Sequence, residues 1–374
     1  MECEPLYYWS GPRYEWPCIN NPCTWQGTLT PYQRHAAERI AEAVRSEDKE
    51  LLIWAVCGAG KTEMLFPGIA EALTLGKRVC VATPRADVVR ELLPRFEASF
   101  KHTKIQGLYG GADKKDDASQ LTISTTHQLL RYREAFDVMV IDEVDAFPFH
   151  KDPSLPYAAD RAKTLQSTTV YLTATPRKTH HRRIRQKKLP HIFVPVRFHG
   201  HPLPVPLLKM CFTLKKDFQN NQFPPSMIRW LSVRKNPDRQ LLIFVPTIEL
   251  AEKLVETWKV SNLSTAGSAA PVHASDPKRE QKVDAFRKRQ LDVLVTTTIL
   301  ERGVTFPSVD VAVLHAGHEV FDEAALIQIS GRAGRSPDDP EGEVLFFHDG
   351  KTESMMKAVR EIKNMNRRGG FSRP

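Results

Sequence analysis

The stretch VMVIDEVDAFPF, residues 138 to 149, sets three acids, Asp142, Glu143 and Asp145, directly behind a run of apolar residues. Val138 to Ile141 suits a buried parallel strand, and ligands of open α/β sheets bind outside the carboxyl ends of such strands. Acids are also common at helix starts for ordinary electrostatic reasons, so a catalytic reading needs a phosphate site elsewhere. Residues 51 to 62, LLIWAVCGAGKT, supply one: a strand, a glycine-containing loop, Lys-Thr and then the helical EMLFPGIAEAL. A phosphate-binding loop needs small residues so that its amides can wrap a phosphate, a lysine for the β/γ-phosphates and a hydroxyl for Mg²⁺. Gly58, Ala59, Gly60, Lys61 and Thr62 meet that need, although Ala55 stands where the general pattern has its first glycine. Cys57 lies inside the loop, more simply read as filler than as a reactive thiol. With both stretches present, Asp142 is the candidate for holding Mg²⁺ and Glu143 for orienting and deprotonating the attacking water. Two acids at one metal favour hydrolysis of a γ-phosphate over its transfer to an alcohol.

These residues need a sheet to hold them. From Thr30 the chain alternates helical segments with the apolar runs LLIWAV, RVCVATP, LTISTT, VMVIDE and TTVYLTATP, which predicts a parallel sheet with crossover helices. TPYQRHAAERIAEAVRS opens with a helix-start signal. VRFHGHPLPVP, residues 196 to 206, interrupts the alternation, and LLIFVP, LDVLVTTTI, VDVAVLHAG and GEVLFFHDG resume it. The expected organisation is an irregular leader over 1–28, a first α/β domain over 29–200 and a second over 201–374; a chain of 374 residues exceeds the size of most single cores. RKTHHRRIRQKK, 177 to 188, is the strongest charge run, and such runs are usually solvated faces. The formal charge of +9 suggests a polyanionic partner. No segment has the apolar length of a membrane span, and the N-terminus lacks the pattern of a secretory signal, so a cytoplasmic location without direct membrane insertion is expected. The six cysteines form no CxxC pair. Cys80 and Cys211 read as core residues, and Cys18 and Cys23, even with Cys3, do not complete a four-ligand zinc set.

Three more stretches narrow the chemistry. YLTATP puts Thr173 and Thr175 at another strand end, QISGRAGR offers Arg332 and Arg335 at one-turn spacing, and VTTTILERGVTF follows a strand with three hydroxyls and Arg302-Gly303. Arginines so spaced can stabilise charge on a γ-phosphate, or form a salt-bridged surface helix. Hydroxyls at strand ends suit a phosphodiester backbone. Taken in order, TPYQ with Gln33, the phosphate loop, TPR at 83–85, STTHQLL at 124–130, DEVD, TATP, FVPT at 244–247, TTTILERGVTF and QISGRAGR resemble a superfamily 2 helicase from Thr30 onward.

The closer resemblance is to the ComFA family, cytoplasmic helicase-like ATPases of DNA uptake in bacterial transformation, with the primosome helicase PriA as a relative. DEAD-box RNA helicases fit less well, with Gln328 replacing their usual His. The resemblance implies two tandem RecA-like parallel-sheet domains with the ATP site in the cleft between them, and an ATP-driven single-stranded DNA translocase. It implies that Gln33 reads adenine while an aromatic such as Trp25 or Tyr32 stacks on it. Cys57, Gly58, Ala59, Gly60, Lys61 and Thr62 would line the nucleotide, Thr62 and Asp142 would hold Mg²⁺, and Glu143 would be the base. Gly303, Arg332 and Arg335 would complete the site, and Thr173 and Thr175 would link hydrolysis to DNA. Thr83, Pro84, Arg85, Thr125, Thr126, Thr247, Thr297 and Thr298 would contact single-stranded DNA. Competence uptake proteins, a ComFC-like partner and a membrane channel, are the implied partners, through which the protein would reach the inner face of the membrane. The four-cysteine zinc module usual at the start of that family is absent here, so zinc is not expected in this chain. A PriA-like restart helicase, an RNA remodeller and an ATP-clamped scaffold are the alternative readings.

Overall fold

The computed structural model describes residues 11–12, 14–111, 118–261 and 267–371, apart from the side chain of Lys215. The chain divides into two compact units, Met1–Ala55 with Ala59–Val194, and Pro195–Pro374 with Val56–Gly58. The division at Val194/Pro195 lies six residues ahead of the position read from the Pro/Gly-rich stretch 196–206.

The first unit runs α1 (Pro31–Arg45), β1 (Glu50–Ala55), α2 (Lys61–Thr74), β2 (Val79–Thr83), α3 (Ala86–Ser99), β3 (Ile105–Leu108), β4 (Leu121–Thr125), β5 (Phe136–Ile141), α4 (Ser154–Ala162), β6 (Lys163–Thr173), α5 (Lys178–Arg185) and β7 (His191–Val194). Its strands form a seven-stranded sheet in the order β3-β4-β2-β5-β6-β1-β7. Every pairing described in it is parallel, so all the carboxyl ends lie along one edge. Each apolar run of the sequence became a strand because each is buried on both faces: β2 and β4 have no open position. Beneath the sheet, Cys80, Phe136, Met139 and Ile141 pack on Leu155, Ala158 and Ala162 of α4. Burial pushes the Cys80 thiol up to about 12, as befits an inert core residue. The leader contributes no helix or strand among its described residues, but it is tied down: Thr24 donates its amide to Ser99 O at 2.7 Å, and the Arg78 guanidinium lies over the Trp16 ring.

The second unit repeats the design with β8 (Leu207–Met210), α6 (Leu214–Gln219), α7 (Pro225–Ser232), β9 (Gln240–Phe244), α8 (Ile248–Val260), β10 (Ala269–Val272), α9 (Arg279–Arg287), β11 (Val293–Thr296), β12 (Val309–Leu314), α10 (Glu323–Ser330), β13 (Val344–His348) and α11 (Glu353–Arg368). Its six strands lie in the order β10-β11-β9-β12-β13-β8, again all parallel. Trp230, Trp258 and Phe347 fill one of its cores with Leu241, Ile243 and Val295. Strands β3, β7, β8 and β10 did not stand out in the sequence because they are the edge strands of the two sheets and are only partly buried, so they need no continuous apolar run.

Candidate nucleotide-hydrolysis site

The phosphate loop is shaped by two glycines with left-handed backbones, Gly58 at φ +80° and Gly60 at φ +71°, where an L side chain would be strained. Gly60 caps α2 without a side-chain acceptor, leaving the helix's first amides to point outward as an anion site. Lys61 and Thr62 open that helix. Gln33 anchors the loop: its Nε2 donates to Ala59 O at 2.9 Å while its Oε1 accepts from Thr30 N at 2.8 Å, the second half of a capping box on α1. In this structure one Nε2 hydrogen and one Oε1 lone pair of the side chain expected to read adenine bridge a helix start to the loop. The two candidate stacking aromatics also differ. Trp25 packs edge-on against Phe66, whereas Tyr32 is 45% exposed.

The acid box leaves the end of β5, which lies two strands from β1 across β6. Asp142 keeps part of its surface open, yet desolvation pushes its carboxyl up to about 6 against the pull of Lys61, with the charges of Glu143 and Asp145 adding to the rise. Glu143 N donates to Asp142 Oδ1 at 2.8 Å. Glu143 itself sits at φ +55°, a conformation a glutamate adopts at a cost of about 1 kcal/mol, and its Oε2 is buried with no hydrogen-bond partner among the described residues. A strained backbone and an unpartnered carboxylate oxygen beside a second acid are features that concentrate at functional sites. The donor set fits Mg²⁺ and a nucleotide triphosphate: hard carboxylate and hydroxyl oxygens, a lysine, and a glycine cradle.

The residue that sequence reasoning left without a role is Asp145. It is fully buried, and both of its oxygens are held by hydroxyls, Oδ1 by Thr173 Oγ1 at 2.5 Å and Oδ2 by Thr175 Oγ1 at 2.6 Å. Arg177 then reaches back to the Asp145 carbonyl with Nε at 3.1 Å and Nη2 at 2.8 Å. The signal was in the sequence: Thr173 and Thr175 are two apart behind a strand, and so can share a side, beside the one acid of the box with no assigned task.

The remaining candidates are placed as follows. Thr83, Thr125 and Thr126 are buried with Pro84, and the hydroxyls of Thr83 and Thr126 have no hydrogen-bond partner among the described residues. They stand at the carboxyl ends of the central strands β2 and β4. Arg85 lies near Asp87 at 3.5 Å. In the second unit, Thr297 and Thr298 are half-buried and Thr247 is exposed, its side chain capping α8 at Leu250 N. Gly303 has φ +74°. Arg332 is buried, with Nε on Glu301 O at 2.9 Å and Nη1 on Val304 O, so it braces the loop around Gly303. Arg335 is half-buried and donates Nε to Gly331 O at 2.9 Å. Cys3 lies outside the described residues; no cluster of His, Cys, Asp or Glu that could hold a metal occurs among the described ones.

The family model of the type III restriction enzyme res subunit matches residues 26–178, and that of the helicase conserved C-terminal domain matches residues 224–337. The competence protein ComFA of Bacillus subtilis is 49% identical over 363 residues, spanning 97% of this chain and 77% of its own length. The chain belongs to the ComFA family. ComFA of Streptococcus pneumoniae is 37% identical, with 98% and 83% covered. Among solved structures, Saccharomyces cerevisiae Dbp5 bound to RNA and ADP BeF3 superposes with a TM-score of 0.65 over 92% of this chain and 93% of that one, at 17% identity. Mss116p bound to ssRNA and AMP-PNP gives 0.67 over 90% and 72%, at 19% identity. These two likenesses establish the fold: two parallel-sheet, RecA-like domains. This ComFA-family chain is therefore a superfamily 2 ATP hydrolase of the competence system. None of its described helices is long and apolar enough to cross a membrane.

Proposed function

We propose that the chain is an ATP-driven single-stranded DNA translocase of bacterial DNA uptake, working with the competence uptake proteins at the inner face of the membrane. The observation that carries this reading is the network from Asp145 to Thr173 and Thr175, which ties the acid box to the neighbouring strand end. A residue two positions from the base, held by a second strand end, can pass a change at the nucleotide to the surface that grips DNA. Lys61 and the amides from Gly58 to Thr62 hold the phosphates. Thr62 and Asp142 would hold Mg²⁺, which when bound would neutralise charge on the phosphate oxygens. Glu143, with an oxygen left unpartnered, orients the water and takes its proton. Arg335 offers charge to the γ-phosphate, while Arg332, tied to Glu301 and Val304, holds the Gly303 loop in place for the same task. Thr247, Thr297, Thr298 and Arg85 grip the DNA backbone; Thr125 acts through its backbone rather than its buried side chain.

The test is steady-state ATP hydrolysis without nucleic acid and with single-stranded DNA, duplex DNA or RNA, each at two salt concentrations. Single-stranded DNA should stimulate most, and less at high salt. Glu143→Gln and Lys61→Ala should each lower the rate at least about 10²-fold; normal turnover in either removes the site assignment. Equal or stronger stimulation by RNA moves the substrate to RNA, and no hydrolysis under any condition supports an ATP clamp.

A further inference from the structure

Helix α5 has no part in the chemistry above, yet it carries the highest net positive charge of any described helix. From Arg177 the chain carries Lys178, Arg182, Arg183 and Arg185, then Lys187 and Lys188, with no acidic residue among them. The helix buries none of its residues. Two of the cations are committed within the unit: Arg177 to the Asp145 carbonyl and Arg183 to Glu50. Lys178, Arg182 and Arg185 are exposed, fall at i, i+4 and i+7, and therefore form one stripe. They pair with no carboxylate among the described residues. Lys187 and Lys188 extend the exposed charge past the helix end.

That arrangement is unfavourable for an isolated helix. Like charges one turn apart repel, and Lys178 stands in a first turn that holds no acid, against the positive end of the peptide dipoles. A polyanion laid along the stripe removes both penalties. We propose that this face of α5 contacts the phosphate backbone of single-stranded DNA, adding to the grip of the motif residues. The proposal rests on the translocase reading above. Two observations favour a nucleic acid over an anionic membrane. The exposed face offers no apolar side chain to enter a lipid interface, its one aliphatic residue, Ile184, being half-buried. The helix is also tethered, through Arg177 just ahead of its first turn, to the carbonyl of the same Asp145 that Thr173 and Thr175 hold. The start of α5 is thus one hydrogen-bonded contact from the acid box, through Arg177 and the Asp145 carbonyl, so DNA on α5 can bias the hydrolysis centre.

The experiment combines Lys178→Gln, Arg182→Gln and Arg185→Gln in the full chain. It measures binding of a fluorescent single-stranded oligonucleotide across a salt series, together with DNA-free ATP hydrolysis and binding to phosphatidylserine vesicles. Losing three phosphate contacts should flatten the slope of log affinity against log salt by about 2, and weaken binding about 10²-fold near 0.1 M salt. DNA-free hydrolysis should match the wild type, since none of the three residues touches the nucleotide residues. A variant with an unchanged slope overturns the proposal while leaving the translocase reading intact if the wild type is still stimulated by DNA. A wild type that does not bind the oligonucleotide overturns both. A variant that keeps its DNA slope but loses vesicle binding reassigns the stripe to the membrane.

Discussion

Each unit buries one aspartate among its described residues, and the two are held in opposite ways. In the second unit Asp310, one residue into β12 at the amino edge of the sheet, is fully buried between two arginines. Arg234 Nε donates to it at 3.0 Å and Arg239 Nη1 at 3.4 Å, and the Glu343 amide adds a third bond at 2.8 Å. Burial still outweighs these partners and holds its carboxyl above the usual range. In the first unit Asp145 and Asp142 follow β5 at the carboxyl edge of the sheet, and Asp145 is held by neutral hydroxyls. The cation pulling on Asp142 is Lys61, while Glu143 and Asp145 push against it. The amino edge is a closed electrostatic clamp. At the carboxyl edge, negative charge is left over, as a site for Mg²⁺ requires; a locked arginine pair there would occupy the metal's place.

If that contrast is right, Asp310→Ala should be among the costliest single changes in the second unit. It strands Arg234 and Arg239 in a dry site, and removing one partner of a buried ion pair costs about 3–5 kcal/mol. Chemical denaturation should show the loss. A change below about 1 kcal/mol, within the range of an exposed pair, would mean that the Arg239–Asp339 bridge carries the clamp alone.

The hydroxyl-held acid should respond more mildly in stability and more sharply in function. Thr173→Val and Thr175→Val each remove one donor from the buried Asp145, a loss of about 1.5–3 kcal/mol for a bond to a charged group. If the network links hydrolysis to the DNA-gripping surface, either variant should keep most of its DNA-free ATPase rate and lose DNA stimulation. Proportional loss of both rates would reduce the two threonines to packing and close the gap between the two regions.

The sequence disclosed this site unevenly, for physical reasons. The phosphate loop and Asp142-Glu143 were legible because their chemistry demands fixed residue types on a strand–loop–helix frame, and every long apolar run became a strand. Gln33 was legible as part of a motif but not in its bonds, because its partner, Ala59 O, is a backbone atom 26 residues away that no residue type advertises. The burial of Thr83 and Thr126 was not legible, because exposure at a strand end depends on which other segments pack there. Asp145 was visible as an acid, but its partners, Thr173 and Thr175, are 28 and 30 residues distant and meet it only once β5 and β6 pair. Arg332 shows the same limit: its spacing from Arg335 suggested a phosphate contact, and only the fold reveals the carbonyls of Glu301 and Val304 that hold it.

The finest distinction lies inside the clamp itself. Asp339, unlike Asp310, has its carboxyl held below the usual value of 3.8, chiefly by the side-chain hydrogen bonds of Arg239. Arg239 grips it with two nitrogens, one at 2.8 Å, and Ser308 Oγ donates as well. Because the folded state favours the charged form, this stabilisation is fully present above the unfolded value and fades as pH falls through the lower folded value. Asp339→Asn should therefore cost about 1 kcal/mol at pH 7, a modest figure because the site is partly solvated. The wild type should lose that advantage in acid, and the two proteins should converge as the pH falls below the lowered folded value. Unfolding curves for both across pH 2.5 to 7 decide the matter. A difference that persists undiminished in acid would show that bond geometry rather than charge holds Asp339, and the clamp would then owe its strength to shape in the same way as the hydroxyl-held Asp145.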